Sequence, residues 1–131
     1  MRLKSTTGVA LAAMAAMAAC MMVANAAWAQ TDAKRGEKLF DECKACHVMQ
    51  RGVHGVGPSL YGVMGRAAGA VEEFRYSPAM RRSGIVWEVR TLDAYLADPQ
   101  KAIPANRMPY AGMPAASDRA DVIDYLGDAS R

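Results

Sequence analysis

Three side chains within five positions carry the most distinctive chemistry of this chain: Cys43 and Cys46, with two residues between them, and His47 directly after. Two thiols at that spacing with an imidazole beside them form Cys-x-x-Cys-His, the attachment pattern of c-type haem. At the end of a helix the thiols can add to the two vinyl groups on one porphyrin edge while the imidazole reaches the iron. Three side chains then fix a flat cofactor in one orientation. A thioredoxin-like redox pair would need a βαβ setting that this sequence lacks, and a zinc half-site would need a second ligand pair.

An iron held by one imidazole has a sixth position, and its occupant decides between electron transfer and reaction with small molecules. The candidates are His54, Met49, Met64, Met80, Met108 and Met113. Met49 is too close to His47 to reach the other face of a ring. Met64 and Met80 fall in or near Gly-rich or helical segments, where methionine serves mostly as core filler. Met108 lies in a segment stiffened by prolines, where a long side chain can be aimed at little entropic cost.

The elements that must position these groups can be read from caps and periodicity. Asp32 is placed to cap a helix over about 32–45, with Gly36, Leu39, Phe40 and Cys43 on one face. A glycine inside a helix costs roughly 1 kcal/mol relative to alanine, so Gly36 marks either a close approach by another group or an unselected position on a frayed first turn. Residues 48–70 hold too many glycines for helix or strand and should form an ordered loop wrapped around something. Ser77-Pro78 opens a short helix that Gly84 stops, and Thr91 opens another that ends near Asp98, before Pro99. The four prolines between Pro99 and Pro114 exclude helix or central strand there and predict a rigid extended loop. Ser117 caps a last helix with Val122, Ile123 and Leu126 facing inward and Asp118, Asp121, Asp124 and Asp128 on a solvated face. The class is all-α, a few helices joined by long loops.

The first residues belong to a different regime. Arg2 and Lys4 precede an apolar run from Val9 to Ala24, and Ala27-Trp28-Ala29 offers small residues where a signal peptidase reads. We therefore expect residues 1–29 to be a cleaved secretory signal and residues 30–131 to form one domain in the periplasm. Cys20 faintly resembles a lipoprotein cysteine, but the mature chain would then begin with an apolar stretch. Removal of the leader takes Arg2, Lys4 and Cys20 with it and leaves 14 basic against 13 acidic side chains. That balance indicates neither nucleic acid nor a membrane surface as a partner. A mature chain of this size with so many alanines would gain from an apolar group completing its core.

Over nearly its whole mature length the sequence resembles the class I c-type cytochromes, the family of mitochondrial cytochrome c and its short periplasmic bacterial relatives. The likeness rests on Gly36 and Phe40 before the haem motif, on Gly57-Pro58-Ser59-Leu60, Gly65-Arg66, Phe74-Arg75-Tyr76-Ser77 and Gly84-Ile85-Val86-Trp87. It continues through Thr91-Leu92, Tyr95-Leu96, Asp98-Pro99, Ile103-Pro104, the run from Asn106 to Gly112 and the run from Arg119 to Leu126. The resemblance implies a cytochrome c fold of about four to five helices around one haem c, covalently bound through Cys43 and Cys46. It puts His47 and Met108 on the iron and leaves Met113 as a loop residue. It further implies that the Pro58 carbonyl accepts from His47, that Tyr95 lies beside the Met108 sulfur, and that Arg66, Tyr76, Trp87 and Asn106 surround the haem propionates. Gly36 becomes the contact point of the terminal helices, with Phe40 and Tyr125 near it, and His54 a loop-pinning residue.

The expected function is one-electron transfer by a soluble monomer, without enzymatic chemistry, since no nucleophile or general base sits in a matching motif. Its partners would be redox proteins: membrane oxidoreductase complexes, a terminal oxidase or a periplasmic dehydrogenase. Unlike the mitochondrial type, the mature chain has only Lys34, Lys38, Lys44 and Lys101, so Lys44, Lys101 and Arg107 would make only a modest positive rim. The competing function, a haem-based ligand binder or peroxidase-like enzyme, requires that Met108 not hold the iron.

Overall fold

Asp32, in extended conformation, accepts from the backbone N–H groups of Lys34 and Arg35 at 3.0 and 3.1 Å and so starts the first helix. In this computed structural model, which describes residues 31–129, α1 runs Ala33–Leu39 and then tightens into a 3-10 helix over Phe40–Ala45. The expected helix over 32–45 is thus helical throughout but changes pitch at Phe40, as helix ends often do. The expected signal segment, residues 1–29, lies outside the described residues.

Four more α-helices follow among the described residues: α2 (Pro78–Arg82), α3 (Val89–Ala97), α4 (Pro99–Ala102) and α5 (Ala116–Ala129). The Ser77 hydroxyl caps α2 by accepting from Met80 N at 3.1 Å. Three expectations need correction. The third helix begins at Val89, because Glu88 is its N-cap and Thr91 is the third helical residue, whose hydroxyl accepts from Glu88 N at 2.8 Å. Pro99 starts a helix instead of forbidding one: proline is tolerated in the first turn, and Asp98 caps it by accepting from Lys101 N at 3.0 Å. The last helix already includes Ala116, so Ser117 lies inside it and does not cap it.

No strand occurs among the described residues. One antiparallel bridge joins Ala67 to Val86, flanked by Trp87 N to Arg66 O at 2.9 Å and Gly65 N to Trp87 O at 2.8 Å. It fastens the Gly-rich loop to the segment before α3.

The core forms where α1, α3 and α5 meet, around Phe40, Leu92, Leu96, Val122, Ile123 and Leu126. At the α1–α5 contact the backbone of Gly36 rests on the Asp121 carbonyl, and a Cβ there would lie 3.0 Å from Tyr125 Cβ. Gly36 is therefore the close-approach glycine, with the Phe40 and Tyr125 rings 5.2 Å apart beside it. The aspartates of α5 are not simply a solvated face: Asp121 is buried, accepts from Asp32 N at 2.8 Å, and pairs with Arg35, which also bonds Asp118. No helix among the described residues is long and apolar enough to cross a membrane.

Candidate functional site

The 3-10 turn at Phe40–Ala45 sets the Cys-x-x-Cys-His motif. Cys46 N and His47 N both bond the Cys43 carbonyl, at 3.0 and 2.8 Å, which folds the five residues into one tight unit. Burial pushes the Cys43 thiol up to about 11, so it is uncharged at neutral pH. Neither cysteine is in a disulfide.

His47 is oriented by the Gly-rich loop. Its Nδ1–H donates to the Pro58 carbonyl at 2.8 Å, which leaves the lone pair of Nε2 available as a ligand. Burial lowers the basicity of the ring, partly offset by that hydrogen bond, and keeps it neutral as ligation requires. Gly57 is the neighbour that makes room: a Cβ at this position would stand 2.7 Å from Nδ1 and 2.8 Å from Nε2. In the sequence this role of Gly57 has no signal beyond the Gly-Pro pair.

Cys43, Cys46 and His47 open into a cavity of about 360 Å³, and Met108 lines the same cavity from the far end of the sequence. Its walls are apolar: Phe40, Leu60, Val63, Met80, Trp87, Leu92, Leu96, Val122 and Leu126 take part. Arg66 and Tyr76 supply a polar stretch. Burial pulls the Arg66 guanidinium below its ordinary value and raises the Tyr76 hydroxyl. Arg66 donates to the carbonyls of Tyr61 and Ser59 at 2.7 and 3.0 Å, which holds it in place.

Met108 is aimed by a strap, residues 103–115, between α4 and α5. Asn106 organises its start: its amide nitrogen donates to the carbonyls of Pro99 and Ile103 at 2.8 and 2.9 Å, and its oxygen accepts from Met108 N at 2.8 Å. The Tyr95 hydroxyl donates to the same oxygen at 3.2 Å and lies 3.5 Å from Met108 Sδ. Burial raises the Tyr95 hydroxyl to about 12. Trp87 stacks at a tilt against Tyr95, ring centres 5.0 Å apart.

The structure therefore brings Cys43, Cys46, His47, Met108, Pro58, Arg66, Tyr76, Trp87 and Tyr95 to one cavity, whereas Asn106 is spent on the strap and does not line the wall. Met64 and Met113 are not on the wall either, and Met113 is buried in the core. His54 pins two loops, accepting from Ser59 N at 3.1 Å and donating to Glu72 O at 3.2 Å. Tyr110, which no local pattern in the sequence marks, also lines the cavity; burial and the nearby Glu42 raise its hydroxyl. At the rim Arg107 faces the cavity together with Glu42, while Lys44 is paired with Asp41 at 2.7 Å.

A flat, largely apolar macrocycle with two acidic substituents fits these residues: two thiols and an imidazole, a thioether, mostly apolar walls, and the guanidinium groups of Arg66, Arg75 and Arg107 with the Tyr76 phenol among the polar lining.

The family model described as cytochrome c matches residues 33–130. A cytochrome c of Euglena viridis is 45% identical over 96 residues, 72% of this chain and 94% of that protein. Cytochrome c2 iso-2 of Magnetospirillum fulvum is 49% identical over 87 residues, 66% of this chain and 91% of its own length. The solved structure of cytochrome cH from Methylobacterium extorquens superposes with a TM-score of 0.70 at 40% identity, covering 73% of this chain and 97% of that one.

Proposed function

The chain belongs to the cytochrome c family, whose members carry covalently attached haem c and transfer single electrons, and from that premise we propose a periplasmic carrier with His47 and Met108 as its axial ligands. The observation that carries this reading is the convergence of His47 and Met108 on one apolar cavity, each oriented by a hydrogen bond of its own. Haem c supplies one-electron exchange between ferrous and ferric iron. Cys43 and Cys46 tether it, and the Pro58 carbonyl holds the His47 ring in the tautomer that presents Nε2.

The Met108 thioether is a soft, neutral ligand that favours the ferrous state, so the potential lies above that of a bis-histidine site. Apolar walls from Phe40 to Leu126 keep water out, and Arg66 with Tyr76 meets the propionates. Trp87 and Asn106 support Tyr95 and the strap. His47 and Met108 would hold the iron together and so leave no position for oxygen or peroxide. Export through residues 1–29 delivers the chain to redox partners outside the cytoplasm, among them membrane oxidoreductase complexes, a terminal oxidase or a periplasmic dehydrogenase, and the mature protein is a monomer.

The test is spectroscopic. The oxidised protein should show the weak near-infrared band of a sulfur-to-ferric-iron bond. That band should vanish in Met108→Ala and persist in Met113→Ala. Rapid, complete binding of carbon monoxide by the reduced wild-type protein at neutral pH would instead assign a ligand binder. A mature N-terminus at Gln30 in the periplasmic fraction checks the export.

A further inference from the structure

Arg119, in the first turns of α5, has a part in none of the roles above, yet its guanidinium joins three segments. Nε donates to Asp93 Oδ1 of α3 at 2.7 Å, and Nη1 donates to the carbonyls of Met113 at 2.9 Å and Pro114 at 2.8 Å. Its side chain is only 11% exposed. Met113 and Pro114 lie near the end of the strap that carries Met108, just before the Ala115 carbonyl accepts from Arg119 N at 3.2 Å. At the same end, Met113 N donates to Leu96 O at 2.7 Å and Gly112 lies against the Ala97 carbonyl, where a Cβ would come within 3.0 Å of the carbonyl carbon. Only a planar, multiply donating cation can hold two carbonyls and a carboxylate at fixed angles, and lysine cannot reproduce that geometry.

Asn106 closes the strap at its start and Arg119 closes it at its end. Met108 lies between the two closures, so any backbone movement that carries its sulfur away from a ligand position works against both anchors. We propose that Arg119 is a positioning residue that latches the strap to α3 and α5 and thereby sets how readily Met108 yields its place to a competing ligand. This rests on the Met108 reading.

The test is titration of the oxidised holoprotein with imidazole, followed by the near-infrared band, alongside chemical unfolding followed by helix circular dichroism. Arg119→Gln should raise imidazole affinity about tenfold, the effect expected from losing a charge-assisted latch. Asp93→Asn keeps both strap bonds but loses the carboxylate that orients the guanidinium, so it should shift affinity the same way by about threefold. It carries the test alone if Arg119→Gln fails to accumulate. Arg35→Gln, which loosens the α1–α5 pair, should lower unfolding stability and leave imidazole affinity unchanged.

The proposal is overturned if the latch variants bind imidazole like wild type, or if Arg35→Gln raises affinity as much for the same loss of stability. A wild-type protein without the near-infrared band would overturn the Met108 reading and the latch together. A normal wild-type band with silent latch variants would overturn the latch alone.

Discussion

The Tyr95 hydroxyl lies 3.5 Å from Met108 Sδ, although the two stand thirteen positions apart and come from a helix and a loop. A donor aimed at a thioether draws electron density from it and weakens it most as a ligand to ferric iron. Tyr95→Phe should therefore lower the reduction potential, by on the order of 20–60 mV for a hydrogen bond of ordinary strength. Protein-film voltammetry reads the shift, and an unchanged or raised potential would show that the hydroxyl serves Asn106 alone.

The same phenol gives a pH prediction. Its folded value, about 12, stands above the ordinary value of 10 because burial disfavours the phenolate. The raised value stabilises the fold at all pH below the unfolded value, and that contribution is lost as pH rises from about 10 through about 12. Phenolate absorbance should show Tyr95 ionising later than an exposed tyrosine, and Tyr95→Phe should flatten the stability loss in that window.

Gly36→Ala should destabilise the protein by about 1–3 kcal/mol, the usual range for overpacking a closed contact. The new Cβ would meet Asp121 backbone atoms and Tyr125 Cβ, and backbone cannot swing aside. Equilibrium unfolding in guanidinium measures it. A neutral result would mean that the α1–α5 contact is looser than this packing.

Ala105 adopts φ 65°, a left-handed conformation that a side chain disfavours, at the point where the strap leaves Pro104. Ala105→Gly should relieve about 1–2 kcal/mol of strain and give back part of it as chain entropy, for a net gain of about 0.5–1 kcal/mol. A rise in Tm is expected, and a fall would show that the rigidity of alanine outweighs the strain.

Charge should play a small part in the encounter with partners. Arg75 and Arg107 line the cavity along with Glu42, Lys44 pairs with Asp41 at 2.7 Å, and the sequence from residue 30 on carries nearly balanced charge. Electron exchange with anionic and with cationic inorganic complexes should respond only weakly, and to similar extents, to ionic strength. A steep fall with salt for the anionic reagent alone would reveal a basic field around the cavity.

The local chemistry was legible in the sequence because local rules govern it. Cys-x-x-Cys-His names its cofactor by spacing alone, and Asp32 and Ser77 announce their helices by caps, whereas Gly36 by itself leaves a close contact and a frayed turn equally open until α5 is seen against it. Where two local rules compete, sequence alone misleads: Pro99 looks like a barrier and Thr91 like a start, whereas Asp98 and Glu88 are the caps that decide both helices. What the tertiary structure alone decided are the contacts between segments distant in the chain. Asp121 looked like one carboxylate on a wet helix face until Arg35 and Asp32 N were seen to bury it, Asn106 turned out to brace the strap, and Arg119 gained its three acceptors from α3 and the strap's end. Spacing along a chain fixes which groups can share a helix turn, but the partners of a buried charge are chosen only when helices pack, because its desolvation must be offset by whatever the fold brings within hydrogen-bond reach.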